Sequence, residues 1–206
     1  MRPDDPRALA AAAMRRLGHA LVAHEVDADL LLRVATAADR VSDELAEQPP
    51  RERDLVALKK RMFEDPFEHG DRVSHFDECF VSGSWNPMGP AIEVHRDGDE
   101  IVAQVVLGAA FEGAPGRAHG GIVAAIFDDV MGYVLTLERQ PAFTGEMSIR
   151  YEAATPMGSL LEFRARMVER AGRKLVVTSE ATDRDGNRVA SARATFIAVD
   201  LERIRA

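Results

Sequence analysis

Residues 119–132, HGGIVAAIFDDVMG, open like a helix and run on almost without a polar side chain. They then set two carboxylates, Asp128 and Asp129, into the apolar run. A helix this apolar has to be sheathed by other elements. The carboxylates are costly inside it unless something pairs or uses them.

The flanking sequence supplies the sheath. Ile92 to His95 and Ile101 to Leu107 read as two strands joined by Arg96-Asp97-Gly98-Asp99, a hairpin turn. Beyond the helix, Met147, Ile149 and Tyr151 alternate with Glu146, Ser148 and Arg150, and Leu161, Phe163, Ala165 and Met167 alternate with Glu162, Arg164 and Arg166. Lys174 to Ala181 and Val189 to Val199 complete the set, parted by Asp183-Arg184-Asp185-Gly186-Asn187. Period-two alternation predicts antiparallel strands covered on one face. Two strands, one buried helix and four strands make an α+β layer fold.

Residues 1–65 differ in character and are read as a helical N-terminal extension, with 66–90 as a connecting segment and 91–206 as the main domain. Asp4-Asp5-Pro6 starts a helix. From Asp27, Leu30, Val34, Ala37, Val41 and Leu45 form one helical stripe, stopped by Gln48-Pro49-Pro50. A shorter helix is expected from Asp54 to Met62. The stripe is expected to be buried, the extension packing as a helical hairpin on the main domain; a separate partner-binding arm is the alternative.

A formal charge of -8 excludes the basic surface of a general nucleic-acid binder. Cys79 is the only cysteine, so there is no internal disulfide and no cysteine-based zinc site. His19, His24, His69, His75 and His95 show no ligand spacing, and no metal is expected. No apolar segment is read as reaching the roughly 20 residues of a membrane span. The expectation is a soluble, cytoplasmic protein.

At about 100° per residue the buried helix has two faces. Val123, Ile126, Val130, Tyr133 and Leu137 should pack into the concave sheet. Nearly opposite lie Gly121, Ala124, Ala125, Asp128 and Gly132, small residues around one carboxylate, where a backbone or slender ligand can approach. Asp129 lies outside that frame and reads as structural or solvated. At the helix start, unpaired N–H groups after His119 can stabilise a developing oxyanion. A buried carboxylate and an anion-stabilising N–H are two parts of an acyl-transfer hydrolase. An Asp–Arg ion pair and plain helix capping are the alternatives.

The run Phe111-Glu112-Gly113-Ala114-Pro115-Gly116-Arg117-Ala118-His119-Gly120-Gly121, followed by Asp128, resembles the hotdog-fold acyl-CoA thioesterases of the PaaI/THEM type. The likeness covers roughly residues 85–200, from Asn86-Pro87 through Thr144 to Tyr151 and Gly172-Arg173-Lys174. It implies a sheet wrapped around one helix, a homodimer or a tetramer, and hydrolysis of acyl-CoA with no cofactor beyond the coenzyme A of the substrate; the eight helical residues between Gly120 and Asp128, about 12 Å, call for sites shared by two copies. It also implies Asp128 as base or nucleophile, the Gly120 N–H as oxyanion donor and Thr144 as an orienting hydroxyl. Some relatives carry an amide at Gly113, and this chain lacks its polarising role.

His119 is expected to cap the helix and orient the thioester, and Gly121 to admit substrate. Arg173 and Lys174 are expected to meet CoA phosphates, with a solvated turn as the alternative. Thr144 falls on the polar side of its strand unless Gly145 marks a bulge. The segment from Phe76 to Trp85 should border the acyl pocket. Two rivals stand beside hydrolysis. One is a non-catalytic acyl-CoA sensor on the same fold; the other, a dehydratase, lacks a His paired with a carboxylate in suitable order.

Overall fold

The computed structural model describes residues 5–52, 54, 58, 62–64 and 67–200. The elements run α1 (Pro6–Ala23), α2 (Ala28–Ala46), β1 (Glu93–Asp97), β2 (Glu100–Val106), α3 (Gly120–Leu137), β3 (Ala142–Tyr151), β4 (Leu160–Ala171), β5 (Lys174–Thr182) and β6 (Arg188–Ala198). The strands form one six-stranded antiparallel sheet in the order β1-β2-β4-β5-β6-β3. Turns at Gly98, Gly172 and Gly186 adopt the positive φ that lets their hairpins close. The expected α+β hotdog arrangement is present, with β3 at an open edge.

The α3 helix lies in the sheet's concavity. Val123, Ile126, Val130 and Tyr133 are buried as their spacing predicts, and Phe127, Met131, Val134 and Leu135 widen the buried arc. Phe127 meets Phe163 of β4 edge to face, the ring centroids 5.0 Å apart. The small-residue face stays most open: Gly121 and Asp128 are exposed, and Ala124, Ala125 and Gly132 half-buried; Leu137, expected in the core, is half-buried too. The expectation that no segment approaches membrane-span length needs correcting. With 18 residues, α3 is long and apolar enough, but it is the core helix.

Residues ahead of β1 also join the core. Val73, Cys79 and Val81 are buried, and the Val73 N–H donates to the Val94 carbonyl. The indole of Trp85 has the Arg7 and Arg51 guanidiniums 5.0 and 4.8 Å from its centroid and donates to Asp5 at 3.0 Å. Each cation–π contact is worth about 0.5–1 kcal/mol at an exposed site. The extension is therefore anchored at Trp85 as well as along α1.

Asp5 caps α1 ahead of Pro6, as the sequence indicates. In α2, Asp27 caps the helix, yet no residue of it is buried: Leu30, Leu31, Leu32, Val41 and Leu45 are all exposed. The expected burial of this stripe on the main domain is not found. The sequence shows amphipathicity; which surface covers it is a long-range matter. The expected helix from Asp54 to Met62 lies largely outside the described residues, where Leu58, Met62 and Phe63 are helical.

His19 holds α1 in place. Its Nδ1 accepts the Ala110 N–H at 3.0 Å, and its ring packs on Phe111. Gly108 makes room, since a Cβ there would sit 2.7 Å from that nitrogen. Burial, then the charge of Arg15, lowers the His19 pKa. The unfolded chain therefore takes up the proton first, and this contribution to stability is lost as pH falls below about 6.5. Amide protection across α1 and residues 109–111, corrected for the intrinsic slowing of exchange in acid, should weaken on acidification through that range, and less so in His19→Gln. Equal protection at both pH values would contradict this.

Candidate active site

The helix start is built by its neighbours. His119 is the N-cap, and its Nδ1 accepts the Gly121 N–H at 2.9 Å. Gly113 passes close beneath, where a Cβ would lie 2.8 Å from the His119 Cα, so this chain cannot carry an amide side chain there without moving the loop. Among the described residues no acceptor takes the Gly120 N–H. Gly121 thus offers space rather than a donor, and Gly120 offers the donor. From β3, the Tyr151 hydroxyl donates to the Gly120 carbonyl at 2.8 Å, with its ring 3.4 Å from where a Gly120 Cβ would be. Tyr151 ties the helix start to the sheet, and the sequence reading missed it; an aromatic ending an exposed strand was the available signal.

Two turns on, Asp128 is exposed and accepts the Thr144 hydroxyl at 2.8 Å. The β3–β6 register slips between Thr144 and Glu146, so Gly145 is a bulge residue. A side chain at 145 would press on Ile197 and the Thr195 carbonyl at 3.2 and 3.3 Å. The bulge turns Thr144 toward α3 and brings a hydroxyl to the carboxylate.

The buried carboxylate is Asp129 rather than Asp128, which corrects the expectation of a buried Asp128. Asp129 Oδ1 accepts the Cys79 thiol at 3.2 Å, while Oδ2 is buried with no hydrogen-bond partner among the described residues. Tyr133 donates to Ser82 at 2.9 Å and accepts the His75 N–H at 3.2 Å; His75 stacks on that ring and reaches the Thr136 hydroxyl at 2.7 Å. Burial raises the Asp129 pKa, opposed by Ser82 and Cys79, and burial followed by Asp129's charge raises that of the Cys79 thiol. Asp129 is structural, not solvated.

A carboxyl with a raised pKa stays protonated in the fold while the unfolded chain ionises, so stability falls as pH rises from about 4 through the raised value. Asp129→Asn keeps an acceptor for Cys79 and cannot ionise. Its melting temperature should gain on the wild type between mildly acidic and mildly alkaline pH. A constant difference would contradict the assignment.

A cleft of about 330 Å³ runs from Asp128 and Thr144 between α3 and the start of β3, bounded by Leu135, Phe143 and Phe76. Phe76 borders it, while residues 77–85 of the segment expected at the acyl pocket do not line it. Arg173 and Lys174 lie at the β4–β5 turn, where Arg173 donates to the Ala198 carbonyl. They sit at the Thr144 end of the sheet, two strands or about 10 Å from β3. The single chain does not bring them into the cleft.

Asp128 and Gly120 are likewise not brought together. Eight residues of helix separate them by about 12 Å.

Residues 115–190 match the family model of the thioesterase superfamily. The acyl-coenzyme A thioesterase THEM5 of Mus musculus is 32% identical over 96 residues, 46% of this chain and 39% of that protein. A Saccharomyces cerevisiae protein named uncharacterized mitochondrial membrane protein FMP10 is 30% identical over 130 residues, 58% of this chain and 53% of that one. The chain spans about half or less of the length of these curated relatives. The crystal structure of a thioesterase superfamily protein, 25% identical, superposes with a TM-score of 0.80 over 96% of this chain and 97% of that one. A hypothetical thioesterase from Streptococcus pneumoniae TIGR4, solved with coenzyme A, is 22% identical with a TM-score of 0.50, covering 52% of this chain and 85% of its own. Over residues 115–190 the chain matches the thioesterase superfamily's model, and its sheet wrapped around one helix is the hotdog fold.

Proposed function

We propose that this chain is an acyl-CoA thioesterase, hydrolysing the thioester to a carboxylic acid and CoA at sites shared by two copies. One observation carries the reading: a free Gly120 N–H opens α3, whose exposed small-residue face carries the Thr144-held Asp128 two turns on. A partner helix running antiparallel along that face would bring its Gly120 opposite Asp128. The unpaired edge of β3 is also free to meet a second copy. A homodimer follows, or a tetramer built from two of them.

In each site the thioester carbonyl rests against the Gly120 N–H of one copy, which stabilises the oxyanion as it forms. Asp128 of the other copy takes a proton from water as the water oxygen bonds the carbonyl carbon. Collapse of the tetrahedral species breaks the C–S bond, and the proton returns to the departing thiolate. In the alternative route Asp128 itself attacks, and water then cleaves the resulting anhydride. Thr144 holds the carboxylate in either case. His119 shapes the helix start and Gly121 leaves space beside it, while Arg173 and Lys174, outside the single chain's cleft, are assigned to the CoA phosphates. CoA binding in the Streptococcus pneumoniae neighbour supports this substrate class.

The exposed stripe of α2 favours a second reading, a non-catalytic acyl-CoA sensor with α2 as its output surface. Thiol release across a panel of acyl-CoAs separates the two. Steady release from at least one ester is the expected result. Tight binding with no release from any would establish the sensor instead.

A further inference from the structure

The cleft beside Asp128 has a wall that comes from outside the thioesterase-matched residues. Met62 and Phe63, from the N-terminal extension, line it opposite Leu135 and Phe143. Both are half-buried, and Trp85 with its two arginines anchors the chain on either side of α2. Asp128 and Thr144 line it with exposed polar groups, and Phe76, Leu135, Ala142, Phe143 and Phe196 supply apolar surface, with His75, Asp129 and Thr136 among them. The pantetheine arm carries amides and ends in charged phosphates, so the acyl chain is the part of the substrate that suits this lining.

We propose that Met62 and Phe63 close the end of the acyl pocket and set the acyl size the protein accepts. This rests on the proposed hydrolysis. At about 330 Å³ the cleft holds roughly ten carbon-sized groups, taking a methylene as comparable to the 30 Å³ share of a water molecule. The substrate class is therefore short- to medium-chain or single-ring acyl esters, and a long fatty acyl chain must displace Phe63. Residues that the main domain does not contain thus define the specificity of a site that it does.

The test compares wild type, Phe63→Ala and Phe63→Trp, each checked for an unchanged melting temperature, on straight-chain esters from acetyl- to palmitoyl-CoA. One methylene in an apolar pocket is worth about tenfold or more in discrimination. Wild-type kcat/KM should collapse beyond about ten carbons. Phe63→Ala should raise it for longer esters by at least about tenfold relative to acetyl-CoA, and Phe63→Trp should shorten the accepted range. Calorimetric Kd values for non-hydrolysable S-alkyl-CoA thioethers of the same lengths should shift in parallel. That second measurement reads the pocket even if no ester turns over, an outcome that would sink the hydrolysis alone. Profiles identical in all three proteins, or a KM raised equally at every length because the cleft holds pantetheine, would overturn the proposal.

Discussion

Replacing Asp128 with asparagine lowers thiol release by at least about a hundredfold, while binding of the thioether analogue stays near the wild-type value. The substitution is nearly isosteric and leaves an oxygen to accept the Thr144 hydroxyl, so shape and the 2.8 Å contact are conserved. What disappears is basicity and nucleophilicity. The exposure of Asp128 removes folding as an explanation of any loss, since no buried charge is created or left unpaired. Asp129→Asn serves as the matched control. It alters a buried carboxyl bonded to Cys79 and should shift stability, with far less effect on turnover. Ordinary turnover in Asp128→Asn would remove Asp128 from the mechanism.

The two carboxylates show what a sequence does and does not carry. Helical phase separates Asp128 from Asp129 and puts the first on the small-residue face, because that depends only on residues within two turns. Which carboxylate is buried depends on Cys79 and Ser82, about 50 positions earlier in a segment with no periodicity to place it. The same limit governs the extension. Caps at Asp5 and Asp27 and the proline stop after α2 are local and legible, whereas the cover for the α2 stripe is not. Thr144 lies between these cases: alternation turns it away from α3, and the Gly145 bulge reverses that. The strand order β1-β2-β4-β5-β6-β3 follows no local rule, and with it goes the placement of Tyr151 on Gly120.

In the proposed dimer each site takes Gly120 from one copy and Asp128 from the other. Gly120→Pro tests the donor, because proline suits the first position of a helix and removes the N–H. His119, with φ −64° and ψ 130°, already has the extended backbone that a following proline demands. Loss of one oxyanion donor costs about a hundred- to a thousandfold in rate. The decisive measurement mixes Gly120→Pro with Asp128→Asn, each nearly inactive alone, under conditions where heterodimers are shown to form. In a shared arrangement one site of the heterodimer collects both lesions and the other none. Mixed protein should then recover activity approaching half that of wild type per heterodimer. A mixture that forms heterodimers and recovers nothing would place both groups in a single chain's site and contradict the shared-site account.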